Sequence, residues 1–340
     1  MATALPPLAL TCGEPAGIGA EIALKAWSER DADGPVFLLI DQPARLARVA
    51  EQLGLQVPLA TVAAPGEADR ALFDEALPVL PVEAPIHGLP GQIDERDAAA
   101  VIESITRAVR LTQAGETAAV VTNPIRKQSL KNAGLAHPGH TEFLAELAGG
   151  GARSVMMLAS PRLRVVPVTV HVPLAEVPRL LTEDEIVAVA TATARALTSD
   201  FGIGAPRLAV LGLNPHAGEG GLLGTEEAAV IAPAVARLRA AGLDAFGPLP
   251  PDASFHAAAR GRYDAAICMY HDQALLPLKT LDFDEGVNVT LNLPFVRTSP
   301  DHGTAIDIAG TGRANPQSLL SALGLAAQMA ATRRRTVAAA

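Results

Sequence analysis

Short apolar segments alternate with amphipathic helical segments along most of the 340 residues, and this alternation restricts the possible folds more than any other feature. The apolar segments are continuous rather than alternating, which is typical of strands in a sheet that is covered on both faces. Strands that alternate with helices predict parallel β-α-β units and an α/β fold. The predicted strands are Leu8–Thr11, Val36–Ile40, Ala118–Thr122, Arg164–His171, Leu208–Leu213, Ala265–Tyr270 and Val289–Leu293.

Two of the intervening segments carry clear helix signals. Asp94–Gln113 places its apolar residues on one stripe, which predicts an amphipathic helix. Thr182 and Glu185 form a capping-box pattern that predicts the start of a helix over Ile186–Leu197. The segment Leu55–Pro90 is rich in proline and alanine, and its weak periodicity predicts no defined element.

The composition excludes several classes of protein. Apolar residues make up 49% and charged residues 19%, which excludes a disordered chain. A net charge of −9 argues against a nucleic-acid partner, because phosphate binding needs a basic surface. No apolar run approaches the roughly 18 residues of a membrane helix, which argues against a membrane partner. With only two cysteines, and no basic region before the first apolar run, the chain is expected to be cytoplasmic.

Three histidines follow predicted strands at equivalent positions. His171, His216 and His271 each come at the end of an apolar segment, where open parallel sheets bind ligands. Neutral imidazoles are good ligands for divalent zinc, cobalt or nickel, and three of them leave a coordination position open. Asp272 could orient one of them as a hydrogen-bond partner. A single histidine of this kind is more often structural, so the metal hypothesis depends on all three together.

A second group of residues suits an anionic substrate. His140 and Thr141 precede an apolar helical segment, and a helix start presents free N–H groups to an anion. Thr141 could equally be a simple helix cap. Lys279, Asn288 and Arg297 interrupt an apolar region and could bind phosphate or carboxylate, although isolated cations are usually surface residues.

Familiar nucleotide and hydrolase motifs are absent from the sequence. It has no Gly-x-Gly-x-x-Gly, no Walker A loop and no Gly-x-Ser-x-Gly. Five other motifs occur in a fixed order: Gly-Glu-Pro-Ala-Gly-Ile-Gly (13–19), Pro-Gly-His-Thr-Glu (138–142), Gly-Leu-Asn-Pro-His-Ala-Gly-Glu-Gly-Gly (212–221), Met-Tyr-His-Asp-Gln (269–273) and Arg-Thr-Ser-Pro-Asp-His-Gly-Thr-Ala (297–305). Through these motifs the chain, from about residue 8 to about residue 330, closely resembles the 4-hydroxythreonine-4-phosphate dehydrogenase family of pyridoxal phosphate biosynthesis.

The resemblance implies a fold of two α/β/α domains with a cleft between them, as in the isocitrate and isopropylmalate dehydrogenases. It implies a first, cofactor-side domain over residues 1–125 plus about 300–340, and a second, dimerisation-side domain over residues 126–299. That wider superfamily binds NAD(P) without the usual glycine fingerprint. The resemblance further implies a homodimer whose metal site draws ligands from both subunits.

The resemblance also implies roles for individual residues. The cofactors would be NAD or NADP and one divalent metal per site, either zinc, cobalt or magnesium. The metal ligands would be His171, His216 and His271. The substrate-binding residues would be His140, Thr141, Lys279, Asn288 and Arg297. The adenosine-holding loop of the wider superfamily would correspond to His302, Gly303, Thr304 and Ala305. Asp272 and Lys279 are the side-chain candidates for taking the substrate proton, beside a metal-bound water.

The implied reaction is the oxidation of 4-phosphooxy-L-threonine to 2-amino-3-oxo-4-phosphooxybutanoate, which loses carbon dioxide to give 3-amino-2-oxopropyl phosphate. Arg126, where many relatives have histidine, and the acidic segment 282–285 depart from the family pattern and could affect substrate choice. A dehydrogenase of 4-phospho-erythronate or 4-phospho-threonate is therefore an alternative. A metal-dependent hydrolase, in which the histidines activate water, is a more distant one.

Overall fold

The computed structural model describes residues 5–132, 140–149 and 153–339. The chain divides into two compact units, one of Met1–Ser154 with Leu293–Ala331 and the other of Val155–Asn292 with Thr332–Ala340. The first unit is therefore formed by two separate stretches of the chain. The mixed α/β class expected from the alternating pattern is confirmed in both units.

The boundary between the units lies later in the chain than residue 125. The helices Lys127–Asn132 and His140–Leu147 belong to the first unit. Phe143 and Leu144 are buried in the same apolar cluster as Val101 and Ile105, which explains why this segment stays with the first unit. The proposed cofactor and dimerisation roles of the two units stay predictions.

The first unit is built on a parallel sheet. Its strands are β1 Leu8–Thr11, β2 Phe37–Asp41, β3 Leu59–Thr61, β4 Leu77–Pro81, β5 Val120–Val121 and β12 Arg297–Pro300. They lie in the order β3-β4-β2-β1-β5-β12. Strands β1 and β2 are buried along their whole length, as expected for a sheet covered on both faces. The helices are α1 Gly19–Ser28, α2 Pro43–Leu53, α3 Arg70–Glu75, α4 Ala98–Gln113, α5 Lys127–Asn132, α6 His140–Leu147 and α12 Gln317–Ala339, whose last residues count with the second unit.

The second unit has a sheet in the order β11-β6-β7-β10-β8-β9. Its apolar cluster lies between this sheet and the helices, and includes Leu158, Ala266 and Leu278. The strands are β6 Val155–Ala159, β7 Arg164–Pro167, β8 Arg207–Leu211, β9 Asp244–Leu249, β10 Ala265–Cys268 and β11 Val287–Leu291. The helices are α7 Val177–Leu180, α8 Glu183–Ser199, α9 Ala232–Ala240, α10 Ala257–Arg260 and α11 His271–Leu281.

The expectation of purely parallel pairing is wrong for part of the second unit. Strand β6 pairs antiparallel with both β7 and β11. The connection from β6 to β7 spans only residues 160–163, which is too short for the helical crossover that parallel neighbours need. The remaining pairs, β7 with β10, β10 with β8, and β8 with β9, are parallel.

The helix predictions hold with small shifts at their N-termini. Helix α4 begins at Ala98, after a 3₁₀ turn over Glu95–Asp97, and ends at Gln113 as predicted. Helix α8 begins three residues before the predicted start, and the Thr182 hydroxyl accepts the predicted capping bond from the Glu185 N–H at 3.2 Å. The unassigned segment Leu55–Pro90 contains β3, β4 and α3. Among the helices in the described ranges, none combines the length and the apolar character needed to cross a membrane.

A buried ion pair fixes the end of β2 in the first unit. Asp41 and Arg45 are 0% and 2% exposed, and Arg45 Nη1 lies 2.5 Å from Asp41 Oδ2. The other terminal nitrogen of Arg45 donates to the Pro15 carbonyl at 3.0 Å, so the pair also holds the loop after β1.

Arg45→Met should lower the free energy of unfolding by roughly 3–5 kcal/mol, because it leaves the Asp41 charge buried without its partner. The double variant Asp41→Leu/Arg45→Met should regain most of that loss, since an apolar pair needs no compensating charge. Urea unfolding of both variants measures the difference. Equal losses in the two would show that the Arg45 packing, and not its charge, matters.

Candidate metal and substrate site

Two of the three predicted histidines come together in the second unit. Beyond the ends of β7 and β10, the backbone N–H and the hydroxyl of Thr169 both donate to the Met269 carbonyl, at 3.3 and 2.8 Å. The two segments that follow these strands therefore leave the sheet side by side. The imidazole rings of His171 and His271 follow directly, with their centroids 5.6 Å apart and their planes inclined by 42°.

The local backbone orients both imidazoles. His271 is the first residue of α11, and its Nδ1 lies 2.9 Å from Asp272 Oδ1, which directs Nε2 away from the carboxylate. His171 has a φ of +45°, in the left-handed region that non-glycine residues rarely adopt. Such a conformation costs about 1–2 kcal/mol, and residues held in it are concentrated at functional sites.

A small cavity adjoins His271 and the residues on either side of His171. Its volume is about 100 Å³, enough for a few water-sized groups. Its lining combines polar groups with apolar side chains: Thr169, Val170, Val172, Leu174, Val177, Tyr270, His271 and Asp272. A cavity of this kind suits the polar end of a small ligand.

The third histidine lies on a loop with an unusual backbone. His216 follows β8, and five consecutive residues, 216–220, have positive φ values between 42° and 77°. Three of them, His216, Ala217 and Glu219, are not glycine. The His216 side chain is exposed at the start of this left-handed turn.

The described part of the chain brings together two of the three predicted metal ligands. Within it, no three histidine, cysteine, aspartate or glutamate side chains of one subunit form a group able to hold a metal ion. The pair His171–His271 is in place, whereas His216 does not join it within the chain. The predicted three-histidine set therefore stays a prediction that requires a second subunit.

Lys279 lies at a distance from the histidine pair within the second unit. Lys279 is near the C-terminal end of α11, eight residues after His271, which corresponds to about 12 Å along a helix axis. Its ammonium group lies 5.7 Å from the centre of the Phe283 ring. Asn288 is half-buried on β11, opposite Leu158 of β6. This separation suits Lys279 to an anionic group distant from the histidines better than to proton transfer beside them.

Arg297 lies in the interior of the first unit. It begins β12, is 4% exposed, and donates from Nη2 to the Thr122 hydroxyl at 2.6 Å. Burial lowers the pKa of its guanidinium to about 10, so the group is still cationic at neutral pH. His140 and Thr141 open helix α6 as expected for a helix start, but their side chains lie outside the described residues.

The predicted cofactor loop packs against the loop that follows β1. The Ile18 N–H donates to the Thr304 carbonyl at 3.0 Å. A Cβ on Gly17 would lie 2.7 Å from that same carbonyl oxygen, so the close approach requires glycine there. Ala305 has a φ of +43°, and His302 Nδ1 lies 3.0 Å from the Gly303 carbonyl. The structure thus defines the loop 302–305 as a turn against the motif 13–19.

A buried glutamate that the sequence reasoning missed fixes the continuation of this loop. Glu21 on α1 is 1% exposed and accepts hydrogen bonds from the Gly310 and Ala314 N–H groups at 3.1 and 3.0 Å. Lys25 bonds Glu21 and also the carbonyls of Gly312 and Ala314. In the sequence this pair has the i,i+4 spacing of an ordinary surface ion pair, so spacing gave no signal of its role.

Glu14, within the first motif, was also missed as a candidate. It is 3% exposed and accepts hydrogen bonds from the Ala16 N–H at 3.3 Å and the Ser129 hydroxyl at 3.4 Å. Burial raises the pKa of its carboxyl group above the ordinary value, and this effect outweighs the hydrogen bonds that lower it. Arg126, which departs from the family pattern, bonds Ser129 and pairs with Glu95 at 2.7 Å.

The fold and these residues define a class: an α/β protein with its polar, ligand-type side chains at and beyond the carboxyl ends of its parallel strands, as in enzymes that bind small molecules there. The family model of the pyridoxal phosphate biosynthetic protein PdxA matches residues 34–326. The chain therefore belongs to this family, and the resemblance found in the sequence motifs is confirmed.

Individual relatives agree with this assignment over nearly the whole chain. The chain is 54% identical to the 4-hydroxythreonine-4-phosphate dehydrogenase of Bradyrhizobium diazoefficiens, covering 96% of this chain and 98% of the relative. It is 56% identical to the enzyme of the same name from Methylorubrum populi, covering 95% and 94%. The crystal structure of the Klebsiella pneumoniae 4-hydroxythreonine-4-phosphate dehydrogenase is similar with a TM-score of 0.86, at 38% identity, covering 96% and 99%.

The left-handed turn after β8 offers a matched pair of glycine substitutions. Gly218 and Gly220 have φ values of +77° and +66°. A Cβ on Gly218 would lie 2.6 Å from Glu227 Oε2, whereas a Cβ on Gly220 would meet no atom within 4 Å.

Gly220→Ala should lower the free energy of unfolding by about 1–2 kcal/mol through backbone strain alone. Gly218→Ala should lower it by roughly 1–3 kcal/mol more, because it adds an overpacked contact. Thermal and urea unfolding check both values. Equal effects would mean that the space around Gly218 relaxes without cost.

Proposed function

We propose that the chain oxidises 4-phosphooxy-L-threonine with NAD or NADP to 2-amino-3-oxo-4-phosphooxybutanoate, which loses carbon dioxide to give 3-amino-2-oxopropyl phosphate. This is a step of pyridoxal phosphate biosynthesis. The observation that carries the proposal is the similarity, above 50% over nearly the full length, to relatives named for this activity. The buried free cysteines Cys12 and Cys268 are compatible with the cytoplasmic location that the sequence predicts.

The residues present fit a divalent metal of the zinc or cobalt type. Two imidazoles 5.6 Å apart can converge on one ion, and the Asp272 contact leaves His271 Nε2 as the ligand atom. His216 of the partner subunit would supply the third nitrogen. A metal bound there would act as a Lewis acid that makes the substrate hydroxyl easier to deprotonate. Magnesium prefers oxygen ligands, so this donor set favours zinc or cobalt over it.

The remaining residues of the second unit would position the substrate and accept its proton. Asp272 is 71% exposed and bonds His271 Nδ1 through Oδ1, which would leave Oδ2 able to accept the substrate proton. We therefore assign proton transfer to Asp272, and assign Lys279 to the anionic end of the substrate because of its distance along α11. Asn288 would donate a hydrogen bond to the substrate.

The first unit would supply the cofactor loop and further substrate contacts. His302, Gly303, Thr304 and Ala305 would hold the adenosine part of NAD or NADP, with Glu21 and Lys25 fixing the chain that follows. Arg297 would contribute a buried positive charge for the substrate anion. His140 and Thr141 would help to orient the substrate.

A panel of phosphorylated four-carbon acids tests the activity. The panel is run with and without added zinc, cobalt or magnesium. We expect NADH or NADPH formation with 4-phosphooxy-L-threonine, and loss of this turnover after chelation. Faster turnover of 4-phospho-erythronate or 4-phospho-threonate would shift the assignment to a sugar-acid dehydrogenase. Phosphate release without reduction of the nicotinamide would favour a hydrolase.

We also propose a homodimer that covers the apolar side chains around the histidines. Leu222, just beyond the His216 turn, is 82% exposed, and Leu174, just beyond His171, is 66% exposed. Large apolar side chains this exposed beside a polar site are typical of a surface that another chain covers. A second copy would bury them and bring His216 to the partner's histidine pair.

Mixing subunits tests the shared site. His216→Ala and His271→Ala should each abolish metal-dependent turnover with little effect on folding. In a mixed dimer, one of the two sites would combine His171 and His271 of the His216→Ala subunit with His216 of the His271→Ala subunit. Random reassociation of the two inactive proteins should therefore restore about a quarter of the wild-type activity. If all three ligands came from one subunit, mixing would restore none.

A further inference from the structure

The turn that carries His216 is organised around one carboxylate. Glu227 lies eleven residues further along the chain, at the start of a π-helical turn over Glu227–Ile231, and is 5% exposed. Its Oε1 accepts the N–H groups of Leu213 at 2.8 Å and Asn214 at 2.7 Å, the residues where the chain leaves β8. Its Oε2 accepts the Asn214 side-chain amide at 3.0 Å.

The same carboxylate also defines the return of the turn. A Cβ on Gly218 would lie 2.6 Å from Glu227 Oε2, so the left-handed segment passes directly against it. A Cβ on Gly224 would lie 2.2 Å from the Asn214 side chain. The far end of the loop therefore packs against Asn214, the residue that bonds Glu227. Both ends of the segment that carries His216 therefore pack against Glu227 or against its hydrogen-bond partner Asn214.

The electrostatics favour an ionised Glu227 despite its burial. Desolvation raises the pKa of this carboxyl group, but the hydrogen bonds from Asn214 and the neighbouring backbone N–H groups outweigh it and hold the pKa below the ordinary value. A carboxylate that accepts several N–H bonds is a rigid anchor, because each bond is strengthened by the charge.

We infer that Glu227 is a positioning residue, which does not touch the metal but fixes the left-handed turn so that His216 reaches the metal site. This inference depends on the proposed metal function. His216 is exposed and its backbone is strained, so its direction is set by the turn and not by packing around its ring. Residues that orient a metal ligand through such contacts typically change metal affinity by about 10- to 100-fold when they are replaced.

The test measures metal binding by the metal-free protein, with Co²⁺ as the probe and a chelator as competitor. Glu227→Gln keeps the size of the side chain but places an N–H₂ group where Oε2 now accepts the Asn214 amide. We expect its affinity for Co²⁺ to fall by about 10- to 100-fold, with an unchanged far-UV spectrum. Glu183→Gln removes the same charge from an exposed ion pair with Arg237, and should bind Co²⁺ like the wild type.

A second variant decides the matter if Glu227→Gln does not fold. Asn214→Ala removes only the side-chain amide that bonds Glu227 and Glu226, and should weaken Co²⁺ binding on the order of tenfold. A purely structural role would instead lower the unfolding temperature and leave the affinity of the folded protein unchanged.

His216→Ala in the same titration separates the two levels of the proposal. If it loses Co²⁺ affinity while Glu227→Gln and Asn214→Ala bind normally, the positioning role is wrong and the metal site stands. If His216→Ala itself binds Co²⁺ like the wild type, the metal site is wrong and the role of Glu227 fails with it.

Discussion

The parallel pairing of β10 with β7 on one side and β8 on the other is the constraint on which the candidate metal site depends. Parallel strands end at the same edge of a sheet, so residues far apart in sequence leave it together. Side chains extend this order beyond the strands. Thr169 bonds the Met269 carbonyl, and Gln273 accepts from the Met269 N–H at 2.6 Å and donates to the Gly212 carbonyl at 2.8 Å. The segments that lead to the three histidines are thereby tied to one strand end.

Two of the three candidate metal ligands at this edge have a strained backbone. His171 and His216 both adopt a left-handed conformation that glycine would take without cost. Such strain persists only where the surroundings over-determine the conformation. For His216 the surroundings are the bonds to Glu227, and for His171 they are the bonds that bring its segment to β10. The strain lowers the stability locally, but the contacts that hold it give each imidazole a defined direction.

Much of the fold could be predicted because it depends on apolar patterning. The seven predicted strands all exist, since β1 and its neighbours are buried along both faces and carry a strong local signal. Strands β3 and β4 were missed because proline and alanine weaken the periodicity of Leu55–Pro90. Strands β6, β9 and β12 also lie outside the predicted set. The antiparallel direction of β6 is set by the short turn over residues 160–163, which the strand pattern does not show.

The sequence could predict only those residues of the candidate site whose position at the end of a strand reveals them. His171 and His271 are each found beyond a strand end, and the paired strands bring them together. Glu21, Gln273 and Glu227 act through backbone groups, and bonds to backbone leave no spacing or periodicity in the sequence. The polar residues hardest to recognise are therefore the ones that orient others. Because their bonds fix the conformation of a loop, changing them should alter ligand affinity before it alters the fold.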